Sequence, residues 1–129
     1  MSLTAIEKGW AAGFFDGEGC ITLHAEGKKR KDGTRRKYPR LAIRSTDLDM
    51  LVRFSRAVGK YGSISGPYIR KSPTGNQCKP SWDWAASNKS ADATMRLLYR
   101  HLSKRRRKRI KEVWGANFRQ WGYSGQRYQ

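Results

Sequence analysis

Three glycines spaced four residues apart restrict what the first helix of this 129-residue chain can pack against. Residues 4–7 have the capping-box form Thr-Ala-Ile-Glu, which predicts a helix beginning near Ala5. Gly9, Gly13 and Gly17 then fall on one arc of that helix. Each glycine inside a helix costs up to about 1 kcal/mol relative to alanine. Three of them on one arc indicate that another backbone approaches this helix very closely.

The same segment predicts how the helix is buried and where it ends. Ile6, Trp10 and Phe14 lie four residues apart and form an apolar stripe, which we expect to face the core. Gly19 is the expected C-terminal cap. Residues 20–25 then alternate between apolar and polar side chains, as a half-buried strand does.

The charge of the chain points to a polyanionic partner. It has 28 Lys and Arg but 10 Asp and Glu, a formal net charge of +18 that would repel itself in a compact fold without such a partner. The hydrophobic fraction is 37%, with five Trp, six Tyr and four Phe, so the chain is not a disordered basic tail. No apolar run approaches the ~18 residues of a membrane span, and the N-terminus lacks a signal-peptide pattern. We therefore expect an intracellular protein with no membrane association.

The rest of the chain reads as alternating hairpins and helices. After the first strand we predict a hairpin turn at residues 32–33, a returning strand over 38–45, and a helix capped by Ser45 or Thr46 that ends at Gly59. There follow a hairpin with strands over 63–71 and 77–86, a helix from Asn88 or Ser90 to about Leu102, and a basic helix over 104–114. The order αββαββα predicts an α+β fold, in which one four-stranded antiparallel sheet has helices on one face and an open face carrying arginines. We assign residues 1–121 to a single domain and 122–129 to a loose tail.

The first hairpin is the strongest nucleic-acid signal in the sequence. Residues 28–44 hold nine basic side chains and one acid, and an antiparallel ribbon is narrow enough to enter the DNA major groove. Strand alternation places Arg40 and Arg44 on the open face, where arginine suits guanine; on the second hairpin, Gln77 suits adenine and Asp83 suits cytosine. The predicted DNA contacts are Lys28, Lys29, Arg30, Arg35, Arg36, Tyr38, Arg40, Arg44, Arg70, Lys71, Gln77, Lys79, Ser81 and Asp83.

Two acids, Asp16 and Glu18, stand at the C-terminal end of the glycine-bearing helix. A helix C-terminus carries partial negative charge and favours a cation, so Glu18 is placed to hold Mg²⁺. One carboxylate makes a poor metal site, whereas two copies, brought together by glycine-faced helices that cross at a twofold axis, make a good one. The alternative is that residues 17–19 form a flexible turn and that both acids are ordinary surface residues.

Residues 12–19, Ala-Gly-Phe-Phe-Asp-Gly-Glu-Gly, resemble the LAGLIDADG motif of homing endonucleases, with Ala11 where the pattern usually has leucine. The resemblance extends over about residues 5–114, because the order of helices and hairpins is also that family's. The chain has one copy of the motif. Single-copy members work as homodimers on near-palindromic DNA, so the resemblance implies the same here.

The resemblance implies roles for individual residues of the motif. Glu18 matches the metal-binding catalytic acid, and Gly17 matches the position whose backbone carbonyl reaches the metal from the partner subunit. Asp16 matches the first acid of the motif, which has a structural role at the helix end. The implied dimer contacts are Gly9, Ala12, Gly13, Asp16 and Gly17.

Two further catalytic positions are implied outside the motif. Many members carry a glutamine after the second strand that orders metal-bound water, and Ser45 stands there in this chain. The family's basic residue near the cleft follows the third helix, where Lys104 is the best match and Arg105 is the next register. Lys104 opens a run of six cations over residues 104–109, which can equally be a nuclear-import signal or a non-specific phosphate patch.

The implied function is that of a site-specific endonuclease of a mobile intron, which breaks both strands of a long, near-palindromic DNA target across the minor groove. Hydrolysis would depend on Mg²⁺, with Mn²⁺ expected to substitute and Ca²⁺ expected to support binding without cleavage. No covalent nucleophile and no organic cofactor are required.

Two other functions are weighed against this one. Asp16 with Glu26 and Lys28 has the acid…E-x-K form of many restriction enzymes, but residues 26–28 are expected in a hairpin loop rather than in a central strand. The second is a non-catalytic binder of the same fold, either an intron RNA maturase or a DNA-binding regulator. Cleavage of duplex DNA in the presence of Mg²⁺ separates the binder from the nuclease.

Overall fold

The computed structural model describes residues 4–59, 61–115 and 118. In these residues the chain forms α1 (Ala5–Glu18), β1 (Gly19–Lys29), β2 (Arg35–Ser45), α2 (Leu48–Ala57), β3 (Ser63–Tyr68), β4 (Ser81–Ser87), α3 (Lys89–Leu98), a 3₁₀ turn (Tyr99–His101) and α4 (Lys104–Trp114). Their order matches the predicted sequence of helices and hairpins. The tail predicted over 122–129 lies outside the described residues.

The four described strands form one antiparallel sheet in the order β1-β2-β4-β3. On its core face, Leu41 pairs with Ala86 and Ile43 pairs with Trp84 across β2 and β4, and all four side chains are buried. Buried residues of the four described helices join the same hydrophobic core. The prediction of an α+β fold with helices on one face and an open sheet face is confirmed.

Side-chain alternation along β2 places Arg40 and Arg44 on the open face, opposite the buried Leu41 and Ile43. The hairpin that joins β1 to β2 turns over residues 30–34. There the Asp32 carboxylate accepts hydrogen bonds from both the backbone N–H and the hydroxyl of Thr34. These bonds lower the pKa of Asp32.

The apolar stripe predicted for α1 is only partly correct. The α1 residues fully buried in the core are Ala11, Ala12 and Phe15. Ile6 is 78% exposed, whereas Trp10 and Phe14 are partly buried and stack on each other with ring centroids 5.2 Å apart. The reason is geometric: a spacing of four residues rotates the stripe by about 40° per step around a helix of 3.6 residues per turn.

Helix α2 begins later than predicted. Asp47, not Ser45 or Thr46, is its N-cap, because the Asp47 carboxylate accepts the N–H groups of Asp49 and Met50. The Ser45 hydroxyl instead accepts the N–H of Asp47, which fixes the turn from β2 into the helix.

The second hairpin is shorter than the prediction. Strand β4 starts at Ser81, directly after Pro80, which has no N–H to give to the sheet. Between the strands, Lys71 and Gln77 meet at an isolated bridge. Gln77 and Lys79 therefore lie outside β4, and strand alternation does not determine which face they occupy.

Of the last two helices, α3 is shorter than predicted, because it ends at Leu98 and a 3₁₀ turn covers Tyr99–His101 before Leu102. Asn88 is the N-cap residue of α3, one of the two candidates, and its backbone N–H donates to the Pro39 carbonyl. Helix α4 has the predicted bounds, and its N-cap is Ser103. None of the helices in the described part of the chain has the length and apolar character needed to cross a lipid bilayer.

Candidate active site and nucleic-acid interface

The junction between α1 and β1 depends on Gly19. Its N–H donates to the Phe15 carbonyl and ends the helix. A Cβ atom at this position would lie 2.6 Å from both the ring and the carbonyl oxygen of Phe15, so only glycine fits. Because the helix turns directly into the strand, Glu18 is the last residue of α1 and stands at the edge of the sheet.

The two acids of this junction have different surroundings. Asp16 accepts hydrogen bonds from the backbone N–H of Ser103, at 3.0 and 3.2 Å to its two oxygens, and from the Ser103 hydroxyl at 3.1 Å. It therefore ties the end of α1 to the start of α4. Glu18 is exposed, and its carboxylate has no hydrogen bond or ion pair with any residue in the described ranges. Of the two acids, Glu18 is the one available to a ligand.

Arg106 is a residue of this junction that the sequence analysis missed. Its Nε and Nη2 donate to the carbonyl oxygen of Asp16 at 3.3 and 3.0 Å, so a cation lies against the C-terminal turn of α1. Burial, and then the charge of Arg105, lower the pKa of Arg106, but an arginine remains charged at neutral pH. The signal was present: Arg106 lies four residues before the buried Ile110 and thus on the same side of α4.

Lys104, the predicted cleft cation, is exposed, as is Arg105, and neither side chain has a hydrogen bond or ion pair within the described residues. Ser45 ends β2 with its hydroxyl bound to the N–H of Asp47. The hydroxyl accepts this bond, so its own proton can still be donated to a ligand or to water.

The glycine arc of α1 lies on the surface of the single chain. At Gly9, Gly13 and Gly17, no described atom comes within 4 Å of the point that a Cβ would occupy. Packing inside the chain therefore does not explain these glycines. Ala12, which was expected at the dimer contact, is fully buried in the core, at the border between the glycine arc and the buried face of α1.

An ion-pair cluster occupies the open sheet face. The Asp83 carboxylate accepts Nε of Arg44 at 3.2 Å and Nη2 of Arg70 at 3.1 Å. Arg70 also donates to the hydroxyl of Ser81, which it covers. Ser81 is therefore buried, and the prediction that it contacts DNA does not agree with this structure.

The first hairpin keeps most of its cations exposed. Lys28, Lys29 and Arg30 are exposed and have no side-chain partner among the described residues. Arg35 donates to the carbonyls of Glu26 and Gly27, and Arg36 lies 3.7 Å from the Glu26 carboxylate. The hydrogen bonds of Arg35 stiffen the base of the hairpin loop, where the register between the two strands shifts.

Tyr38 and Arg40 are half-buried on β2, where Tyr38 lies beside His24 with ring centroids 5.9 Å apart. The remaining predicted contacts, Lys71, Gln77 and Lys79, are exposed in the loop between β3 and β4.

Glu26 and Lys28 lie within β1, not in a loop as expected, because β1 extends to Lys29. However, β1 is an edge strand, whereas the restriction-enzyme pattern requires these residues in a central strand. The position of Glu26 beside Arg36 gives this alternative no support.

Solved structures share this arrangement of helices and strands. The intron-encoded homing endonuclease I-CeuI, complexed with DNA, aligns over 88% of this chain and 54% of its own at a TM-score of 0.62 and 16% identity. I-CvuI, in complex with the I-CreI target, aligns over 84% of this chain and 64% of its own, at a TM-score of 0.58 and 18% sequence identity. The LAGLIDADG homing endonuclease I-GzeII, in complex with its DNA target, aligns over 78% of this chain and 30% of its own, at a TM-score of 0.55 and 19% sequence identity.

This chain has the LAGLIDADG homing endonuclease fold. It spans less than two thirds of the length of these three relatives. No protein-family model and no curated protein matches its sequence.

Within the LAGLIDADG fold, the part of the chain that the structure describes offers few potential metal ligands. The described residues contain no group of three or more His, Cys, Asp or Glu side chains able to share an ion. Of the two motif acids, Asp16 is bound to Ser103, which leaves the Glu18 carboxylate and nearby backbone carbonyls. Oxygen donors suit Mg²⁺, which is held by one or two carboxylates and otherwise keeps water. One carboxylate with backbone carbonyls and water therefore fits a loosely held magnesium ion, and a second carboxylate would bind it more firmly.

Proposed function

We propose that this chain is a divalent-metal-dependent DNA endonuclease that acts as a homodimer on a near-palindromic duplex target. The observation that carries the proposal is the contrast between the two acids at the end of α1. Asp16 is bound to Ser103, whereas Glu18 is exposed at the edge of the sheet. A carboxylate that needs no partner for folding is available for chemistry.

The dimer follows from the glycine arc and from the incomplete donor set. A second α1 that crosses the first at Gly9, Gly13 and Gly17 would bring two backbones into close contact. The same twofold axis would bring the two Glu18 carboxylates together, each with the Gly17 carbonyl of the other chain nearby. The proposed partner is therefore a second copy of this chain, because it would add a second carboxylate to the site.

The binding surface combines two parts of the fold. The open sheet face presents Arg40 and Arg44, and the β1–β2 hairpin extends beyond it with the exposed Lys28, Lys29 and Arg30. Contacts from the hairpin tip to phosphates would supply affinity, and contacts from the sheet to base edges would supply sequence preference. A twofold dimer would repeat both contacts on two half-sites, which explains a near-palindromic target.

The proposed reaction is hydrolysis of the phosphodiester. A bound divalent metal supplies activation of water and neutralisation of charge on the phosphate. Glu18 would be the carboxylate that holds this cation. Arg106, fixed on the Asp16 carbonyl, holds positive charge at the helix end and keeps α4 against the site. Lys104 at the exposed start of α4 and the Ser45 hydroxyl are the candidates for orienting the phosphate and water, respectively.

A selection of cleaved sites from a random duplex library tests this function. The wild-type protein is incubated with the library in Mg²⁺, and both the ends of the cleaved products and the uncut duplexes that stay bound to the protein are sequenced. The proposal predicts a near-palindromic consensus cut in both strands. Enrichment of bound but uncut sites would favour the regulator. If no DNA sequence is enriched, whether by binding or by cleavage, the proposed function is wrong and intron RNA becomes the ligand to test.

A further inference from the structure

Arg44, Asp83 and Arg70 form an ion-pair cluster on the open face, in which Asp83 binds both arginines. The two arginines differ in which of their N–H groups remain free for a ligand. One carboxylate oxygen of Asp83 binds Arg44 at 3.2 Å and the other binds Arg70 at 3.1 Å. Asp83 also faces Arg44 directly across the β2–β4 register. The side chain of Asp83 is only 24% exposed.

Arg70 is oriented by partners within its own chain. Nη2 binds Asp83, Nη1 binds Ser81, and the guanidinium carbon lies 4.8 Å from the ring centroid of Tyr68. Three of the five N–H groups of Arg70 remain, but the contacts of both terminal nitrogens direct the guanidinium towards Ser81 and Asp83 rather than towards a guanine edge. Its charge instead offsets that of Asp83.

Arg44 has the opposite arrangement. Only its Nε binds Asp83, and its terminal nitrogens have no partner among the described residues. Its side chain is 61% exposed. A guanidinium held at Nε keeps its two terminal nitrogens free and fixed in direction, which suits O6 and N7 of guanine. Fixing the side chain in advance also reduces the conformational entropy lost on binding.

We propose that Arg44 is a guanine-reading residue and that Asp83, held by Arg70, is its positioning residue rather than a reader of cytosine. This inference rests on the proposed function, since it requires sequence-dependent DNA binding. Arg44 and Arg40 lie on the same face of β2, and the inference assigns them different properties. Arg44 is held by Asp83, whereas the Arg40 side chain has no described partner. Arg40 reaches DNA without such an anchor.

The experiment is a binding selection in Ca²⁺ with a random duplex library, performed with the wild type and single variants. Arg44→Ala should remove one G·C preference in each half-site, a loss of about 5- to 150-fold in discrimination. Asp83→Asn should weaken the preference at that same base pair while keeping affinity for unrelated DNA, because it removes a negative charge. The double variant should lose no more than Arg44→Ala alone.

Two matched variants serve as controls. Asp92→Asn makes the same acid-to-amide change in an ion pair on α3, with Arg96, and should leave every preference unchanged. Arg40→Ala should alter a different base pair from Arg44→Ala. If Asp83→Asn does not fold, as judged by thermal unfolding, Arg44→Lys replaces it. That variant keeps the charge but loses the anchored planar donor pair, so it should retain affinity and weaken the G·C preference.

The outcomes separate this inference from the proposed function. A wild type without any sequence preference would overturn the proposed function, and the reading assignment with it. A wild type with a clear preference, combined with an Asp83→Asn effect at a base pair that Arg44→Ala leaves intact, would overturn only the inference. In that case Asp83 contacts a base itself. An Arg44→Lys variant that keeps the full G·C preference would also overturn it.

Discussion

The carboxylate of Asp16 accepts hydrogen bonds from both the backbone N–H and the hydroxyl of Ser103. The two residues are 87 positions apart, and their contact joins the end of α1 to the first turn of α4. Arg106 adds a second link, since it binds the carbonyl of the same Asp16. The junction that carries Glu18 is thus held from outside the motif.

Asp16→Ala should therefore lower the free energy of unfolding by about 1–3 kcal/mol, because two donors of Ser103 lose their charged acceptor. Urea denaturation of the purified protein measures this change. Asp49→Ala is the control, since the Asp49 side chain has no hydrogen bond or ion pair in the described part of the chain. Because Asp49 lies in the first turn of α2, its own loss should cost at most about 0.3–1 kcal/mol, and an Asp16→Ala loss no larger than this would contradict a stabilising Asp16–Ser103 contact.

The Glu7–Arg53 pair should make stability depend on pH. Hydrogen bonds from Arg53, at 2.9 and 3.2 Å, lower the pKa of the exposed Glu7 carboxyl. A folded-state pKa below the unfolded value means that this stabilisation is complete above the unfolded pKa and is lost as pH falls through the folded one. Wild type should be more stable than Glu7→Gln at neutral pH, and the difference should vanish in acid. A difference that does not change with pH would contradict the assignment.

The dimer prediction is tested at Gly13. A Cβ at this exposed position would have no described atom outside its own stretch of helix within 4 Å, so Gly13→Leu should fold, with a gain in helix propensity. In the proposed dimer the same side chain would separate the two α1 backbones. Sedimentation velocity at micromolar concentration should find a dimeric wild type and a monomeric variant. Gly27→Leu, on the open hairpin, is the matched control and should stay dimeric. A wild type that is monomeric even on DNA would exclude the twofold site.

The hairpin cations should govern salt dependence. Each phosphate contact contributes about −0.9 to the slope of log K against log salt concentration. Changing Lys28, Lys29 and Arg30 to alanine should make this slope shallower by up to about 3 per subunit and leave base preference unchanged. Titrations of one duplex at several salt concentrations measure it. If the slope is unchanged, phosphate contact comes from elsewhere, with residues 104–109 the next candidates.

The sequence predicted the elements whose signals are local. The α1 cap, the turn at residues 32–33 and the bounds of α4 each depend on a few adjacent residues, and the inward Leu41 and Ile43 follow from alternation. The roles expected of the motif residues came from the resemblance to LAGLIDADG proteins, and they stay predictions. The predicted start of α2 was wrong because three neighbouring residues, Ser45, Thr46 and Asp47, can each cap a helix. Asp47 is the cap in the structure, since its carboxylate accepts two backbone N–H groups.

Long-range polar contacts were beyond prediction from one sequence. Nothing in the order of residues indicates that Arg70 covers Ser81, or that Asp83 binds two arginines from different parts of the chain. Arg106 belongs to a run of six cations, and a feature that sets it apart from the other five is its four-residue spacing from the buried Ile110. Such contacts arise when the sheet and helices assemble, so they require the three-dimensional structure.

The central claim is that Glu18 is the metal-binding acid of a nuclease, and Glu18→Gln tests it most directly. The substitution keeps size and polarity, and because Glu18 has no described partner in the fold, stability should not change. Duplex cleavage in Mg²⁺ is measured beside DNA binding in Ca²⁺, on the site selected with the wild type. We predict that Glu18→Gln binds as well as the wild type or slightly better and cuts at background level. Full cleavage by Glu18→Gln would contradict the account and place the reaction at other residues.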